Sequence, residues 1–183
     1  MNLPTVITLA RLLSVPAIIW LILQQAWLAA FFAFLAAGLS DALDGFLARY
    51  LKQLSELGTF LDPLADKALL IGIYVTLGVL GEMPGWIVIL VVSRDVLLIG
   101  GTLLSLVMET AIHVRPLLIS KFNTVCQIVL VLTILAKLGM DWLVWIDPTP
   151  IIWIVAATTL LSGASYLIQW GRRHASDRIS RKG

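Results

Sequence analysis

Charged residues are scarce in this chain. Lysine, arginine, aspartate and glutamate make up 13% of its 183 residues, about half the share found in a soluble domain. No long polar stretch interrupts the sequence, so nothing marks a separate soluble domain, and residues 1–183 are expected to form one membrane domain. Cysteine is nearly absent: Cys126 stands alone, which excludes an intramolecular disulfide framework and predicts a thiol buried in mid-helix. Histidine is limited to His113 and His174. A basic leader is missing too. The first apolar segment has no cationic run before it, contains Arg11 and shows no small-residue cleavage site, so it is expected to be a retained span. No tandem repeat or low-complexity tract is apparent.

What is there is apolar: 60% of the residues are hydrophobic. A helix needs about 20 mostly apolar residues to cross a bilayer. Six segments meet that length, Pro4–Gln24, Trp27–Tyr50, Thr59–Leu80, Trp86–Val107, Ser120–Leu138 and Ile151–Trp170. The expected fold is therefore an all-α integral membrane protein with six transmembrane helices. The turn-rich Gly81–Gly85 stretch and the acidic, proline-containing stretch from Met140 to Pro150 separate the later spans, with Trp142 and Trp145 suited to an interface. Basic residues set the orientation: Arg49 and Lys52 follow span two, Arg115 and Lys121 lie between spans four and five, and five cations follow span six. Only Lys137 falls in the alternate loops, so both termini are expected in the cytoplasm. The basic tail, residues 171–183, reads as a positive-inside anchor with a frayed end rather than as a dedicated lipid-binding arm.

Against this background one stretch is unexpectedly acidic, "DALDGFLARYLKQLSELGTFLDPLAD" from Asp41 to Asp66. At about 100° per residue, Asp41, Asp44, Gly45, Ala48 and Arg49 share one helix face, and Asp62 and Asp66 share a face of the next. A helical hairpin can turn both faces inward and gather four carboxylates. Such a cluster repels itself unless a cation relieves it. Oxygen-only ligation suits Mg²⁺, Mn²⁺ or Ca²⁺ and argues against a structural zinc site. Gly45 and Ala48 leave room beside the acids, and Arg49 offers a planar fork for phosphate oxygens. Metal, small residues and arginine on one surface suit a substrate carrying a pyrophosphate. The competing reading, simple pairing of the acids with Arg49 or Lys67, accounts for any one aspartate but poorly for the whole constellation.

The spacing D-x2-D-G-x2-A-R-x8-G-x3-D-x3-D, filled by Asp41, Asp44, Gly45, Ala48, Arg49, Gly58, Asp62 and Asp66, resembles at every fixed position the motif of the CDP-alcohol phosphotransferase family. That resemblance implies a six-helix membrane enzyme that moves a phosphoalcohol group from a CDP-linked donor to a hydroxyl and releases CMP. It implies one or two Mg²⁺ or Mn²⁺ ions on Asp41, Asp44, Asp62 and Asp66. Gly45, Ala48, Arg49 and Gly58 take the places of nucleotide-binding positions, and Asp66 that of the general base. The opening "NLPTVITLAR" is similar to the family's P-N-x-x-T-x-x-R, with Thr5 in place of asparagine. Thr8 then resembles a further donor contact. Arg11 either reaches a phosphate or snorkels to the interface. The family further implies a homodimer. The site is expected near the cytoplasmic face of a bacterial inner membrane, with no nucleic acid among the partners.

The acceptor must be read elsewhere. "VVSRDVLLIGG" at Val91–Gly101 and "RPLLISKFNTVCQ" at Arg115–Gln127 put Arg94, Arg115 and Lys121 in apolar surroundings, where they are expected to hold an acceptor phosphate. A structural pairing of Arg94 with an aspartate is the competing expectation. Within the family these stretches are most similar to eukaryotic-type cardiolipin synthases, which join CDP-diacylglycerol to phosphatidylglycerol. The alternative is phosphatidylglycerophosphate synthase, which uses glycerol 3-phosphate. Its usual second arginine aligns here with Thr102, so a clamp for a small dianion is missing. A small ion transporter is a remote further alternative. It would spread its charges through the membrane depth and show inverted repeats, and this sequence does neither.

The base assignment predicts that Asp66→Asn abolishes turnover while CDP-diacylglycerol binding persists. Product formation at the wild-type rate by that variant removes Asp66 from the role.

Overall fold

The computed structural model describes residues 3–51, 56–107 and 118–180, and side chains within 13–40, 67–100 and 118–166. Among the described residues every long element is a helix and no strand occurs. The helices are α1 (Leu3–Leu23), α2 (Trp27–Leu51), α3 (Glu56–Val79), α4 (Gly85–Val107), α5 (Leu118–Gly139) and α6 (Thr149–Ser180), with a single 3₁₀ turn at Asp141–Leu143. Each apolar segment of the sequence corresponds to one helix.

Two chain reversals explain why the helices stop where they do. After α1 the amide of Ala26 reaches back to the carbonyl of Leu21 and that of Gln25 to Ile22, both at 2.9 Å. After α3 the amide of Glu82 bonds Leu77 at 3.0 Å and that of Gly81 bonds Gly78 at 3.2 Å. This pair of bonds closes a helix whose next residue turns left-handed. Gly81 takes that conformation freely at φ 81°, whereas Gln25 takes it at φ 57° against its own side chain. Before α6 the carboxylate of Asp147 accepts the Thr149 amide at 3.0 Å. Hydrogen bonds from the Thr149 hydroxyl and amide hold this exposed carboxyl below its ordinary value.

α1 packs on both α2 and α3, α5 on α2, α3 and α6, and α4 on α3 and α6. No contact between α2 and α3 is found among the described residues. Ile18 and Ile22 of α1, Phe34 of α2, Ile73 and Leu77 of α3, Ile87 and Val91 of α4, Leu130 and Leu135 of α5 and Val155 of α6 close the core. Cys126 is buried within α5 and unpaired, as expected from its position. The outward faces are as apolar as the core: Ile89 is 71% exposed and Leu160 59%. Water does not tolerate such a continuous apolar surface, but hydrocarbon does. α5 over Leu118–Gly139 and α6 over Thr149–Tyr166 are long and apolar enough to cross a membrane among the described residues. Trp142 and Trp145 lie exposed between them.

The C-terminal segment differs from expectation. α6 does not end near Trp170 but continues to Ser180, so residues 171–180 are helical rather than frayed. The reason is local: after Gly171 the run RRHASDRIS has no proline and contains good helix formers in arginine and alanine.

One glycine sets a close approach. A Cβ on Gly139 would stand 2.7 Å from the backbone nitrogen of Leu28 and 3.0 Å from its Cα. The end of α5 thus rests directly on the first turn of α2, where neither backbone can yield. Gly139→Ala is expected to cost about 1–3 kcal/mol, while Gly38→Ala, with open space around it, should stabilise or leave stability unchanged. Unfolding both variants in detergent micelles checks this.

Candidate active site

Asp41 and Asp44 lie on α2, and Asp62 and Asp66 on α3. Their backbones are helical, so residues three and four apart fall on one face of each helix. Gly45, Ala48 and Arg49 continue the face of α2, Gly58 lies in the first turns of α3, and Thr8 and Arg11 lie in α1. The side chains of all these positions are outside the described residues. Arg115 is outside them altogether. Both acid pairs occupy unbroken helix and offer only oxygen donors, and this fits a hard divalent cation. Among the described residues no group of three or more His, Cys, Asp or Glu gathers.

Immediately after Asp66 the structure shows a buried polar network that joins four helices. Lys67 of α3 donates to Asp95 Oδ1 at 2.7 Å. Arg94 Nη1 donates to the same oxygen at 2.5 Å. Arg94 Nη2 reaches the hydroxyls of Ser120 on α5 and Ser162 on α6, each at 2.6 Å. Arg94 is 5% exposed and Asp95 fully buried. The backbone of Arg94 lies about 14 Å along α4 from its start at 1.5 Å per residue, well inside an apolar helix. A charge at that depth needs compensation by an opposite charge and by hydrogen bonds, and this network supplies both. Arg94 Nε and Asp95 Oδ2 remain without partners.

One turn further along α5, Asn123 Oδ1 lies 2.8 and 2.9 Å from the hydroxyls of Thr158 and Thr159 on α6. Two turns on, the Tyr74 hydroxyl of α3 donates to the Gln127 carbonyl at 3.3 Å. Ser120, Asn123 and Gln127 thus share a face of α5; Thr158 and Thr159 answer Asn123 from α6, and Arg94 bridges Ser120 to Ser162.

The network differs in part from the sequence expectation. Arg94 does pair with an aspartate, but it also clasps two serines that drew no attention. Lys67, considered as a partner for the four motif acids, donates to Asp95. Lys121 is exposed at the start of α5. The overlooked signal was the hydroxyl stripe at 158, 159, 162 and 165 on α6, whose spacing matches one helix face.

Comparison with known proteins identifies the family. Residues 1–168 match the family model described as CDP-alcohol phosphatidyltransferase. The chain belongs to that family. Proteins of the CDP-alcohol phosphatidyltransferase family are membrane proteins, which accounts for the apolar exterior. A chloroplastic CDP-diacylglycerol–glycerol-3-phosphate 3-phosphatidyltransferase of Oryza sativa subsp. japonica is 37% identical over 93% of the chain and 57% of its own length. A cardiolipin synthase (CMP-forming) of Rattus norvegicus is 32% identical over 94% of the chain and 62% of its own. A cardiolipin synthase/mitochondrial hydrolase fusion protein of Schizosaccharomyces pombe is 34% identical over 91% of the chain and 31% of its own. The chain therefore spans less than two thirds of the length of these relatives.

Removing Arg94 leaves the Asp95 carboxylate buried with one cation instead of two. Arg94→Leu should therefore cost about 3 kcal/mol, against about 1 kcal/mol for Ser162→Ala, which removes a single hydrogen bond. Equal losses in micelle unfolding would contradict this ranking.

Proposed function

We propose that the chain is a cardiolipin synthase that transfers a phosphatidyl group from CDP-diacylglycerol to phosphatidylglycerol and releases CMP. The observation that carries this reading is the complete Asp41-to-Asp66 motif, set on two helices of a CDP-alcohol phosphatidyltransferase chain. The names of the rat and fission-yeast relatives support the acceptor. Phosphatidylglycerophosphate synthesis from glycerol 3-phosphate is the second reading, favoured by the name and higher identity of the rice relative. Thr102, where that group's second arginine is expected, weighs against it.

In this reading Gly45 and Ala48 let the nucleotide approach the α2 backbone, while Arg49 grips phosphate oxygens. Thr8 and Gly58 complete the donor contacts. Asp66 takes the proton of the acceptor hydroxyl as its oxygen attacks the lipid-side phosphorus and the bond to CMP breaks. One or two Mg²⁺ or Mn²⁺ ions on Asp41, Asp44, Asp62 and Asp66 supply, when bound, charge neutralisation for the pyrophosphate and for departing CMP. Arg94, Lys121 and Arg115 are the residues proposed to hold the acceptor phosphate. Arg94 serves it from a position already fixed by Asp95, Ser120 and Ser162.

The six helices are taken as six spans. At 1.5 Å per residue even the 21 residues of α1 exceed about 30 Å of hydrocarbon. The cation distribution puts both termini and the acid motif on the cytoplasmic side of a bacterial inner membrane. A homodimer is the proposed assembly.

Purified protein supplied with CDP-diacylglycerol and Mg²⁺ or Mn²⁺ is expected to release CMP only when an acceptor is added, and chelation should stop it. Mass spectrometry should find cardiolipin with phosphatidylglycerol as acceptor. Phosphatidylglycerophosphate formed from glycerol 3-phosphate, with no cardiolipin, would establish the second reading. The absence of CMP with either alcohol refutes both.

A further inference from the structure

α2 and α5 pack side by side, and the end of α5 rests on the first turn of α2 where Gly139 meets the backbone of Leu28. The two helices therefore run in opposite directions, and this contact fixes their register. The inward face of α2 is Ala30, Phe34 and Ala37, spaced by four and then three residues. Asp41 and Asp44 continue the same spacing. The buried face of α5 includes Ile134, Leu130, Gln127 and Asn123, spaced by four, three and four. Such spacing keeps one seam of a helix turned toward its neighbours. Counted from the Gly139 contact at 1.5 Å per residue, Ile134 lies at the depth of Phe34 and Leu130 at that of Ala37. Gln127 then lies at the depth of Asp41 and Asn123 at that of Asp44, each to within about 1.5 Å. The register on α3 points the same way. Ser120, one turn before Asn123, is joined through Arg94 and Asp95 to Lys67, the residue that follows Asp66.

At these two layers α5 carries spare hydrogen-bond donors. Asn123 and Gln127 are both fully buried. The hydroxyls of Thr158 and Thr159 occupy Asn123 Oδ1, so the amide nitrogen is the end left over, and Asn123 Nδ2 is unpartnered. Gln127 Nε2 is unpartnered as well. A buried amide N–H without an acceptor is costly, and a carboxylate is the strongest acceptor that an apolar bundle offers. Two buried amides and two motif acids thus stand layer against layer on neighbouring helices.

We infer that Asn123 and Gln127 are positioning residues of the metal site: their amide N–H groups donate to the carboxylates of Asp44 and Asp41 and hold those oxygens for the divalent cation. This rests on the reading of the motif acids as its ligands. A carboxylate that offers one oxygen to a cation keeps the other free to accept such a bond. Hydrogen bonds of this kind orient the ligands and typically carry about ten- to a hundredfold in metal affinity.

Mn²⁺ binding to the substrate-free protein in detergent micelles, read from the electron paramagnetic resonance signal of the free ion, tests this without turnover. Asn123→Leu and Gln127→Leu keep side-chain bulk and remove the donors, and each is expected to weaken Mn²⁺ binding about tenfold or more. The double variant Thr158→Val/Thr159→Val removes the hydroxyls at Asn123 Oδ1 but leaves both amides, and should stay within about threefold of wild type. A purely structural role of the amides predicts lower unfolding midpoints with unchanged Mn²⁺ affinity, or an equal loss of affinity in the threonine variant; either result overturns the inference. If the leucine variants do not fold, Asn123→Asp decides. It still accepts from Thr158 and Thr159, and its charge beside Asp44 should tighten Mn²⁺ binding about tenfold or more. Unchanged or weaker binding by that variant overturns the inference. Wild-type binding of Mn²⁺ with unaffected variants refutes the role of the amides alone. A wild type that binds no Mn²⁺ refutes the metal reading of the motif acids, and the inference with it.

Discussion

The Asp95 carboxylate is the constraint on which the arrangement of α3 to α6 depends. It receives Lys67 from α3 and Arg94 from its own helix, and Arg94 in turn binds one hydroxyl on α5 and one on α6. Apolar packing between helices in a bilayer gains little from hydrophobic exclusion, because lipid tails are as apolar as leucine. A fully buried ion pair with directional hydrogen bonds specifies the register in which those helices meet. Moving any of the four by one turn, about 5.4 Å, would break at least one bond of the network and leave a charge unmatched. Because Lys67 follows Asp66, the same register fixes the depth of the motif acids on α3.

The polar groups of α5 extend this logic along the bundle. Ser120, Asn123 and Gln127 occupy one face; Asn123 is met by two hydroxyls of α6, and Ser120 is joined to Ser162 of α6 through Arg94. Gln127 is the exception, since both of its side-chain amide atoms are buried without partners. The face of α5 that is polar at Ser120 becomes wholly apolar by Leu130 and Ile134. Polarity is thus concentrated toward the end of the helix that lies with Arg94, and the opposite end is held by backbone contact at Gly139.

Most of the fold was legible because a bilayer leaves so few options. Apolar runs of twenty or more residues can only be helices, and each predicted span is one. The motif from Asp41 to Asp66 was legible for a different reason: charge in an apolar chain is expensive, so regular spacing of acids carries information. What the sequence hid was pairing. Lys67 directly follows the motif in sequence and bonds Asp95 on the next helix, a pairing made by three-dimensional packing that no local pattern encodes. Ser162 was overlooked because a serine in a membrane helix is common, and only the position of Arg94 gives it a role. The continuation of α6 past Trp170 is hidden in the sequence by a drop in hydropathy that does not coincide with the end of the helix. Hydropathy reports the environment, whereas the backbone continues until a proline, a glycine turn or a cap stops it.

That continuation gives α6 a mechanical character. Its 32 residues amount to about 48 Å of helix, against a hydrocarbon layer of about 30 Å. Ser162, which holds Arg94, and the arginines at 172, 173 and 178 therefore stand on one continuous helix. A tilt of that helix driven by anionic headgroups at its basic end would be delivered undiminished to the Arg94 guanidinium.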